Sequence, residues 1–342
     1  MSGHHPRSRA TSAAADVVAL LLDLHRNIRR EVRRMLRSHP TTELSRAAHY
    51  GAGDLSFAID LPAEQLIADT FTRATALHPI VVVSEGIGTR VFPESARPED
   101  ARWRIIIDPL DGTRELMYDK RSAWILSAVA PNRGDETTLA DVVVAVQTEV
   151  PPTRQQIGVV LQAARGRGAQ AQDWDLADET PAGPKRRLRS SGAATIENGF
   201  CSFVHYFPGT HEIVGRIADR VYARVLGPVR PGDARVFDDQ YLSSGGLLYL
   251  LAAGKHRLVV DIRPLVDREL AQSGGLTAHP YDLCTALIAE EAGAIVTDAA
   301  GLPLSYPLDT ATGCSWIGYA GTALRNQVEG ILRSEIERLR IV

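Results

Sequence analysis

The sequence predicts a layered α/β fold (α+β layered), in which α-helices pack on β-sheets. Short runs of β-branched residues, typical of buried strands, alternate with longer segments whose apolar residues recur every three or four positions, typical of amphipathic helices. This alternation continues through both halves of the chain. Hydrophobic residues make up 44% of the 342 residues and charged residues 23%, the balance of a globular protein with roughly two domains.

The overall charge gives no reason to expect nucleic acid or an anionic membrane as a partner, because 38 basic and 41 acidic residues leave a formal net charge of −3. Cys201, Cys284 and Cys314 lie far apart and form no CxxC pair, which argues against a zinc site or a disulfide framework. We therefore expect a reducing, cytoplasmic location. The longest apolar stretch, residues 246–254, is under half of the ~20 residues that a membrane-spanning helix needs.

The chain begins with a Ser-, Ala- and Arg-rich segment, residues 1–14, which we predict as a disordered tail. A helix is predicted over residues 16–37, because apolar residues recur there at spacings of three and four. They are Leu21, Leu24, Ile28, Val32 and Met35. The opposite face carries a stripe of arginines, namely Arg26, Arg29, Arg30, Arg33, Arg34 and Arg37. We interpret this stripe as a solvated outer face, with contact to nucleic acid or a membrane as the alternative.

The remaining elements follow from periodicity and turn residues. In the first half, strands are predicted over residues 55–59, 80–83, 104–107, 122–130, 141–148 and 157–161, and a helix starts near Pro62. In the second half, helices are predicted over 211–225, 237–253, 281–292 and 322–339, with strands over 256–262, 294–297 and 315–319. Residues 163–190 are poor in large apolar side chains, so we divide the chain into domains 15–190 and 191–342.

The most informative segment is the turn Asp108-Pro-Leu-Asp-Gly-Thr113, which follows an apolar strand. Pro109 is expected to stop the strand, so that Asp108 and Asp111 converge on one point. Gly112 and Thr113 then offer backbone N–H groups that suit a phosphate, particularly where a helix begins. Carboxylates beside an anion would repel it unless a cation lies between them.

A third carboxylate, Glu85, follows the strand predicted over residues 80–83. Ligand sites in open α/β sheets cluster at the carboxyl ends of strands, so Glu85 is expected near the turn. Oxygen ligands without Cys or His favour Mg²⁺. Three acids at two strand ends therefore predict a magnesium site.

Four segments together resemble the signatures of the inositol monophosphatase-like superfamily, which includes inositol monophosphatases, fructose-1,6-bisphosphatases and 3′-phosphoadenosine phosphatases. They are Asp54-Leu-Ser-Phe-Ala-Ile-Asp60, Ser84-Glu85, the Asp108–Asp111 turn, and Tyr281-Asp-Leu-Cys-Thr-Ala-Leu-Ile-Ala-Glu-Glu-Ala-Gly293. Their order and spacing match over about residues 15–340. The resemblance implies an alternating α-β-α-β-α sandwich.

The resemblance also implies roles for individual residues. Glu85, Asp108, Asp111 and Asp282 would bind metal through carboxylates, and Leu110 through its carbonyl oxygen. Asp60 would pair with Thr113 to activate water, while Gly112 and Thr113 hold the phosphate. Two or three Mg²⁺ ions per site and inhibition by lithium are further expectations.

Three positions depart from the family pattern. Gly86 stands where the family has a second Glu, which bears on the loosest metal position. Tyr281 replaces a Trp, a change of packing. Arg114-Glu-Leu116 resembles the Lys-Glu-Phe of the 3′-phosphoadenosine phosphatases more than the Thr-Asn-Phe of inositol monophosphatases.

We therefore expect a Mg²⁺-dependent phosphatase acting on a small phosphate monoester, such as an inositol phosphate or a sugar phosphate. A 3′(2′),5′-bisphosphate nucleotidase-type phosphatase is the alternative, and a non-catalytic metabolite-binding regulator with the same fold is an alternative of another class. Asp261 is predicted to contact substrate hydroxyls and Arg263 an anionic group, with residues 264–278 as a lid. The sequence is compatible with a homodimer.

Overall fold

The structure is a computed structural model that describes residues 6–50, 55–74, 78–228, 230–271 and 276–341. Within these ranges the helices are α1 (Pro6–Ser38), α2 (Thr41–Leu44), α3 (Leu61–Arg73), α4 (Thr113–Met117), α5 (His211–Leu226), α6 (Ser244–Ala252), α7 (Arg263–Glu269), α8 (Pro280–Leu283), α9 (Ala286–Glu291) and α10 (Thr322–Glu337). Short 3₁₀ helices cover Pro98–Asp100, Leu139–Asp141 and Arg338–Ile341.

The strands in the same ranges are β1 (Ala47–Tyr50), β2 (Leu55–Phe57), β3 (Ile80–Ser84), β4 (Gly88–Phe92), β5 (Trp103–Asp111), β6 (Ala123–Pro131), β7 (Val144–Val150), β8 (Ile157–Ala164), β9 (Ala169–Asp175), β10 (Thr180–Pro181), β11 (Arg186–Arg187), β12 (Gly199–Phe203), β13 (Val236–Asp238), β14 (His256–Asp261), β15 (Ile295–Asp298) and β16 (Trp316–Tyr319).

The strands form two main sheets and a small antiparallel pair, β1–β2. The larger sheet has the order β10-β9-β8-β7-β6-β5-β3-β4, with β11 also paired to β9. It is antiparallel except for β3 and β5, which run parallel and so end at the same edge. The smaller sheet has the order β13-β12-β14-β16-β15.

Alternation of side chains along the strands builds the layers. On β5, Ile105 and Ile107 join one buried cluster with apolar residues of α1 and α3, whereas Ile106 faces a second cluster. That second cluster contains the apolar side chains of α6 and α9 and reaches Val259 of the smaller sheet. Val260, on the other face of β14, packs with α5 and α10. The order is α-β-α-β-α, which confirms the expected sandwich.

The arginine stripe of α1 is only partly solvated. Arg29 is buried and ion-paired with Glu179, and buried Arg33 donates from Nη1 to the carbonyl oxygen of Pro151 at 2.9 Å. Arg33 also bonds the carbonyl oxygens of Pro152 and Gln155. These two arginines fasten α1 to the larger sheet, so the prediction of a solvated face is wrong for them. Arg30, Arg34 and Arg37 are exposed as expected.

Several predicted boundaries differ from the structure. Helix α1 begins at Pro6, although residues 6–14 were predicted as part of a disordered tail; their alanines are strong helix formers. Residues 237–243 are not helical, because Ser243 caps α6 and accepts a hydrogen bond from the Gly246 N–H at 2.8 Å. The low-apolar segment 163–190 still belongs to the larger sheet, through β9 to β11.

No helix in the described ranges combines the length and the apolar character needed to cross a bilayer.

Candidate active site

One cleft collects nearly all the predicted site residues. It has an empty volume of about 690 Å³ and lies where β5 meets α4 and where α6 and α8 begin. The predicted residues that line it are Asp60, Glu85, Asp108, Leu110, Asp111, Gly112, Thr113, Arg263 and Asp282. Asp261 is the predicted residue that does not. The parallel pair β3–β5 explains why Glu85 reaches the turn, since both strands end at this edge.

The carboxylates of Asp108 and Asp111 converge because β5 contains a bulge, and not because the strand ends. We expected Pro109 to stop β5, but the strand continues to Asp111, which pairs with Trp124 of β6. The register shifts between Asp108 and Asp111, as at a β-bulge. An irregular stretch of this kind re-aims side chains, so both carboxylates face the cleft. Gly112 follows with φ +91°, a conformation that favours glycine, and α4 begins at Thr113.

Asp108, Asp111 and Asp282 form an acidic cluster, with one carboxylate oxygen of each within 4.8 Å of the others. Burial raises the pKa of Asp111 to about 8, and the neighbouring Asp282 adds to the rise. The pKa of Asp108 is also raised, by burial first and by Asp111 and Asp282 next. Three carboxyl groups this close together form a site that a hard divalent cation would stabilise, because its positive charge offsets the repulsion between carboxylates.

Each carboxylate of the acidic cluster is oriented by a backbone N–H. The Leu110 N–H donates to Asp108 Oδ1 at 2.9 Å, and the His279 N–H donates to Asp282 Oδ2 at 2.6 Å. The Gly245 N–H donates to Asp111 Oδ2 at 2.6 Å. Fixing one oxygen in this way fixes the direction of the other. The cluster is therefore oriented by the ends of elements from both halves of the chain.

Asp111 is held at the start of α6. Its Oδ2 also accepts a hydrogen bond from Ser243 Oγ at 2.7 Å. A Cβ atom on Gly245 would lie 2.9 Å from that oxygen and 2.6 Å from Cδ2 of Leu126, so the close approach requires glycine. Ser243 and Gly245 were not among the predicted site residues. A local pattern marks them, because Ser-Ser-Gly-Gly before an apolar run is typical of a helix start.

Asp60 and Thr113 form the expected pair. Thr113 Oγ1 lies 3.0 Å from Asp60 Oδ1 and 2.6 Å from the carbonyl oxygen of Leu110. The hydroxyl has one proton, so it donates to one of these acceptors at a time. The Phe57 N–H donates to Asp60 Oδ2 at 2.7 Å and fixes the carboxylate before α3.

Asp261 lies below the cleft and not in it. It is fully buried, and both its oxygens accept hydrogen bonds from Arg263, Oδ1 from Nε at 2.9 Å and Oδ2 from Nη2 at 2.7 Å. The predicted contact of Asp261 with substrate hydroxyls is therefore wrong, because a buried carboxylate that is saturated by a guanidinium cannot reach a ligand. Asp261 holds Arg263, which does line the cleft.

The structure gives a reason for glycine at position 86. Its φ is +75°, and a Cβ atom there would lie 2.4 Å from Cδ and Oε1 of Glu64, which projects from α3. A glutamate at this position would require both a strained backbone and a displaced Glu64.

Aromatic side chains complete the walls, and no local sequence pattern marks Tyr206 or Phe207 as a cleft residue. Tyr206 and Phe207, from the loop after β12, line the cleft together with His279 and Tyr281. The rings of His279 and Tyr281 stack with centroids 5.1 Å apart. In the segment predicted as a lid, α7 covers the first residues, and residues 272–275 lie outside the described ranges.

A five-layer sandwich with an acidic cluster at a bulged strand is the arrangement expected of the inositol monophosphatase-like superfamily. A sequence model described as the inositol monophosphatase family matches residues 10–330, and the chain belongs to this family.

Solved structures show the same fold. The extragenic suppressor protein SuhB of Bartonella henselae is 19% identical, with a TM-score of 0.62, over 93% of this chain and 98% of that one. A fructose-1,6-bisphosphatase of Leishmania major is 12% identical, with a TM-score of 0.64, over 94% of each chain. The inositol monophosphatase of Thermotoga maritima is 20% identical, with a TM-score of 0.57, over 93% of this chain and 98% of that one. A search of the curated proteins finds no match.

Proposed function

We propose that this protein is a Mg²⁺-dependent phosphatase that hydrolyses a small phosphate monoester with a metal-activated water. The observation that carries the proposal is the acidic cluster, whose carboxylate oxygens lie within 4.8 Å of one another beside the Asp60–Thr113 pair. Oxygen donors alone, in a buried and anionic site, fit Mg²⁺ better than a softer metal.

The residues that would hold the metal are Glu85, Asp108, Asp111, Asp282 and the carbonyl oxygen of Leu110. We propose two or three ions per site. When bound, Mg²⁺ would lower the pKa of a coordinated water and neutralise charge at the leaving oxygen. The same family resemblance supports inhibition by lithium.

The chain's own residues position the reaction. Asp60 Oδ1 accepts the proton that Thr113 Oγ1 passes on, which leaves the hydroxyl oxygen of Thr113 able to accept from the attacking water. Gly112 and Thr113 line the cleft after the bulge, and their backbone N–H groups would hold phosphate oxygens. Arg114, which also lines the cleft, adds positive charge next to them.

Two alternatives have distinct support. Arg114-Glu-Leu116 resembles the 3′-phosphoadenosine phosphatases, and Arg114 lies in the cleft, which favours a bisphosphate nucleotidase as the second candidate. A non-catalytic regulator would need no water-activating pair. Asp60 and Thr113 are in hydrogen-bond contact, which supports an enzyme. The three buried cysteines are free, which is compatible with the proposed cytoplasmic location.

A phosphate-release assay over inositol, sugar and nucleotide phosphates, with and without Mg²⁺, tests the proposal. We expect release that depends on Mg²⁺ and falls by at least a thousandfold in Asp282→Asn, because the variant removes a charge from the acidic cluster. Asp173→Asn, on strand β9 away from the cleft, is the matched control and keeps wild-type activity. Wild-type binding of a phosphate ester without turnover would instead identify a regulator.

A further inference from the structure

Arg263 lines the cleft with a guanidinium that several contacts hold in place. Its side chain is 12% exposed. Nε and Nη2 each donate to Asp261, and Nη1 donates to the carbonyl oxygen of Leu276 at 2.8 Å. The guanidinium also lies over the ring of Tyr206, 5.1 Å from its centroid.

The hydrogen bonds of Arg263 leave part of its capacity unused. A guanidinium has five N–H donors. Three are engaged within the described residues, so one hydrogen on Nη1 and one on Nη2 remain. Two N–H groups on a planar, fixed cation match the oxygens of a phosphate or a carboxylate. The free donors thus suit an anion in the cleft.

The support beneath Arg263 is itself rigid. Asp261 is at the end of β14 and fully buried, and Tyr206 donates its hydroxyl proton to the carbonyl oxygen of Tyr241. A buried ion pair contributes little net stability compared with an apolar pair of the same size. Stability alone therefore does not explain a charged pair that opens into a ligand cleft.

We infer that the substrate carries a second anionic group, a phosphate or a carboxylate, which Arg263 binds away from the scissile ester. Asp261 acts through Arg263 and is a positioning residue. This inference rests on the proposed function and narrows it to esters with two anionic groups. The metal side of the cleft would hold the reacting phosphate, and the Arg263 side would select the molecule that carries it.

Matched pairs of substrates test the inference. Each pair compares a bisphosphate with the monophosphate that lacks its second phosphate: a sugar 1,6-bisphosphate and its 1-phosphate, inositol 1,4-bisphosphate and 1-phosphate, and adenosine 3′,5′-bisphosphate and 3′-phosphate. We add one phosphorylated carboxylic acid and its methyl ester. We expect wild-type kcat/KM to favour the doubly anionic member at least tenfold in one pair.

The variant Arg263→Gln should abolish that preference by raising KM for the doubly anionic member at least tenfold, whereas kcat/KM for a small aryl phosphate should fall far less. Arg263→Gln leaves Asp261 buried without its partner, so the double variant Arg263→Gln/Asp261→Asn, a neutral pair of similar shape, guards against misfolding. Asp261→Asn alone should raise KM for the doubly anionic substrate and leave kcat unchanged. Arg268→Gln, on the same helix but not lining the cleft, is the control and keeps the preference.

The outcomes separate the two hypotheses. The inference is overturned if the wild-type preference is below twofold in every pair. It is also overturned if the preference survives in the folded double variant. Neither outcome contradicts the proposed phosphatase activity. Equal loss with both substrate types makes Arg263 a scaffold residue and also overturns the inference. If the wild type hydrolyses nothing with Mg²⁺, the proposed function fails. The increase in melting temperature on ligand binding then tests the inference with the same pairs. The inference requires a larger increase with the bisphosphate than with the monophosphate, and this difference must disappear in Arg263→Gln.

Discussion

Two polar regions of this protein, one beneath α1 and one at the sheet edge where β3 and β5 end, differ in how their charges are matched. Beneath α1, Arg29 pairs with Glu179, and His25 bonds the hydroxyls of Ser127 at 2.7 Å and Thr148 at 2.9 Å. In the cleft, three acids of like charge converge. Matched groups define a unique packing, whereas an unmatched cluster creates a requirement for a cation.

The largest effect on kcat is expected from a variant that removes one of the three carboxyl groups of the acidic cluster. Asp111→Asn should lower kcat by three or more orders of magnitude at saturating Mg²⁺ while raising the melting temperature measured in EDTA. The amide oxygen can still accept from Ser243 and Gly245, and the folded state no longer has to take up a proton or bury a charge at this position. Steady-state kinetics and thermal melts with and without EDTA measure both effects. A melting temperature that falls in EDTA would show that the acids do not repel one another as described.

Breaking a matched pair beneath α1 should have the opposite signature. Arg29→Met leaves Glu179 buried without its partner and should lower the free energy of unfolding by about 3–5 kcal/mol. Because the pair is far from the cleft, kcat and KM of the folded enzyme should change less than twofold. Urea unfolding gives the first quantity. Arg30→Met, an exposed neighbour on α1, should stay within about 0.5 kcal/mol of wild type.

A smaller effect is expected at the start of α6, which positions one acid of the cleft. Gly245→Ala places a methyl group against Asp111 Oδ2 and Leu126. We expect kcat to fall roughly ten- to hundredfold as Asp111 moves, since small displacements of a catalytic group are costly. Isothermal titration with Mg²⁺ should show weaker binding in the same variant. Gly215→Ala, on α5 with open space around its Cβ position, serves as the control, and equal behaviour of the two variants would contradict the close approach.

The smallest effect concerns pH and His25. Burial, with a further contribution from Arg29, lowers the pKa of His25 to about 3, against 6.5 for a solvent-exposed histidine. The unfolded state therefore binds the proton first, and stability is lost as pH falls through 6.5. For this histidine alone we expect a loss of about 1 kcal/mol between pH 7 and pH 5.5. Urea unfolding at both pH values, compared with His25→Gln, isolates it; an unchanged pH dependence in the variant would refute the assignment.

The features that the sequence predicts well are those encoded in local residue patterns. The five-layer order follows from alternating elements and family motifs, and the acids of the cleft follow from the turn Asp108-Pro-Leu-Asp-Gly-Thr113. What the sequence does not predict depends on tertiary packing. Nothing local indicates that Arg29 meets Glu179, because the two residues are 150 positions apart. Arg263 is only two positions from Asp261, but the burial of that pair depends on how β14 packs. The bulge in β5 was missed because Pro109 is typically a strand breaker.

The position of α6 has a mechanical consequence. The helix is sandwiched between the two sheets, and its apolar residues Leu247, Leu248 and Leu251 are buried in the layer that joins them. Its first turn grips Asp111 through Ser243 and Gly245. A shift of one sheet relative to the other would move α6 and, through it, the carboxylate oxygens of Asp111. The affinity of the site for a cation therefore depends on how tightly the two sheets pack against α6.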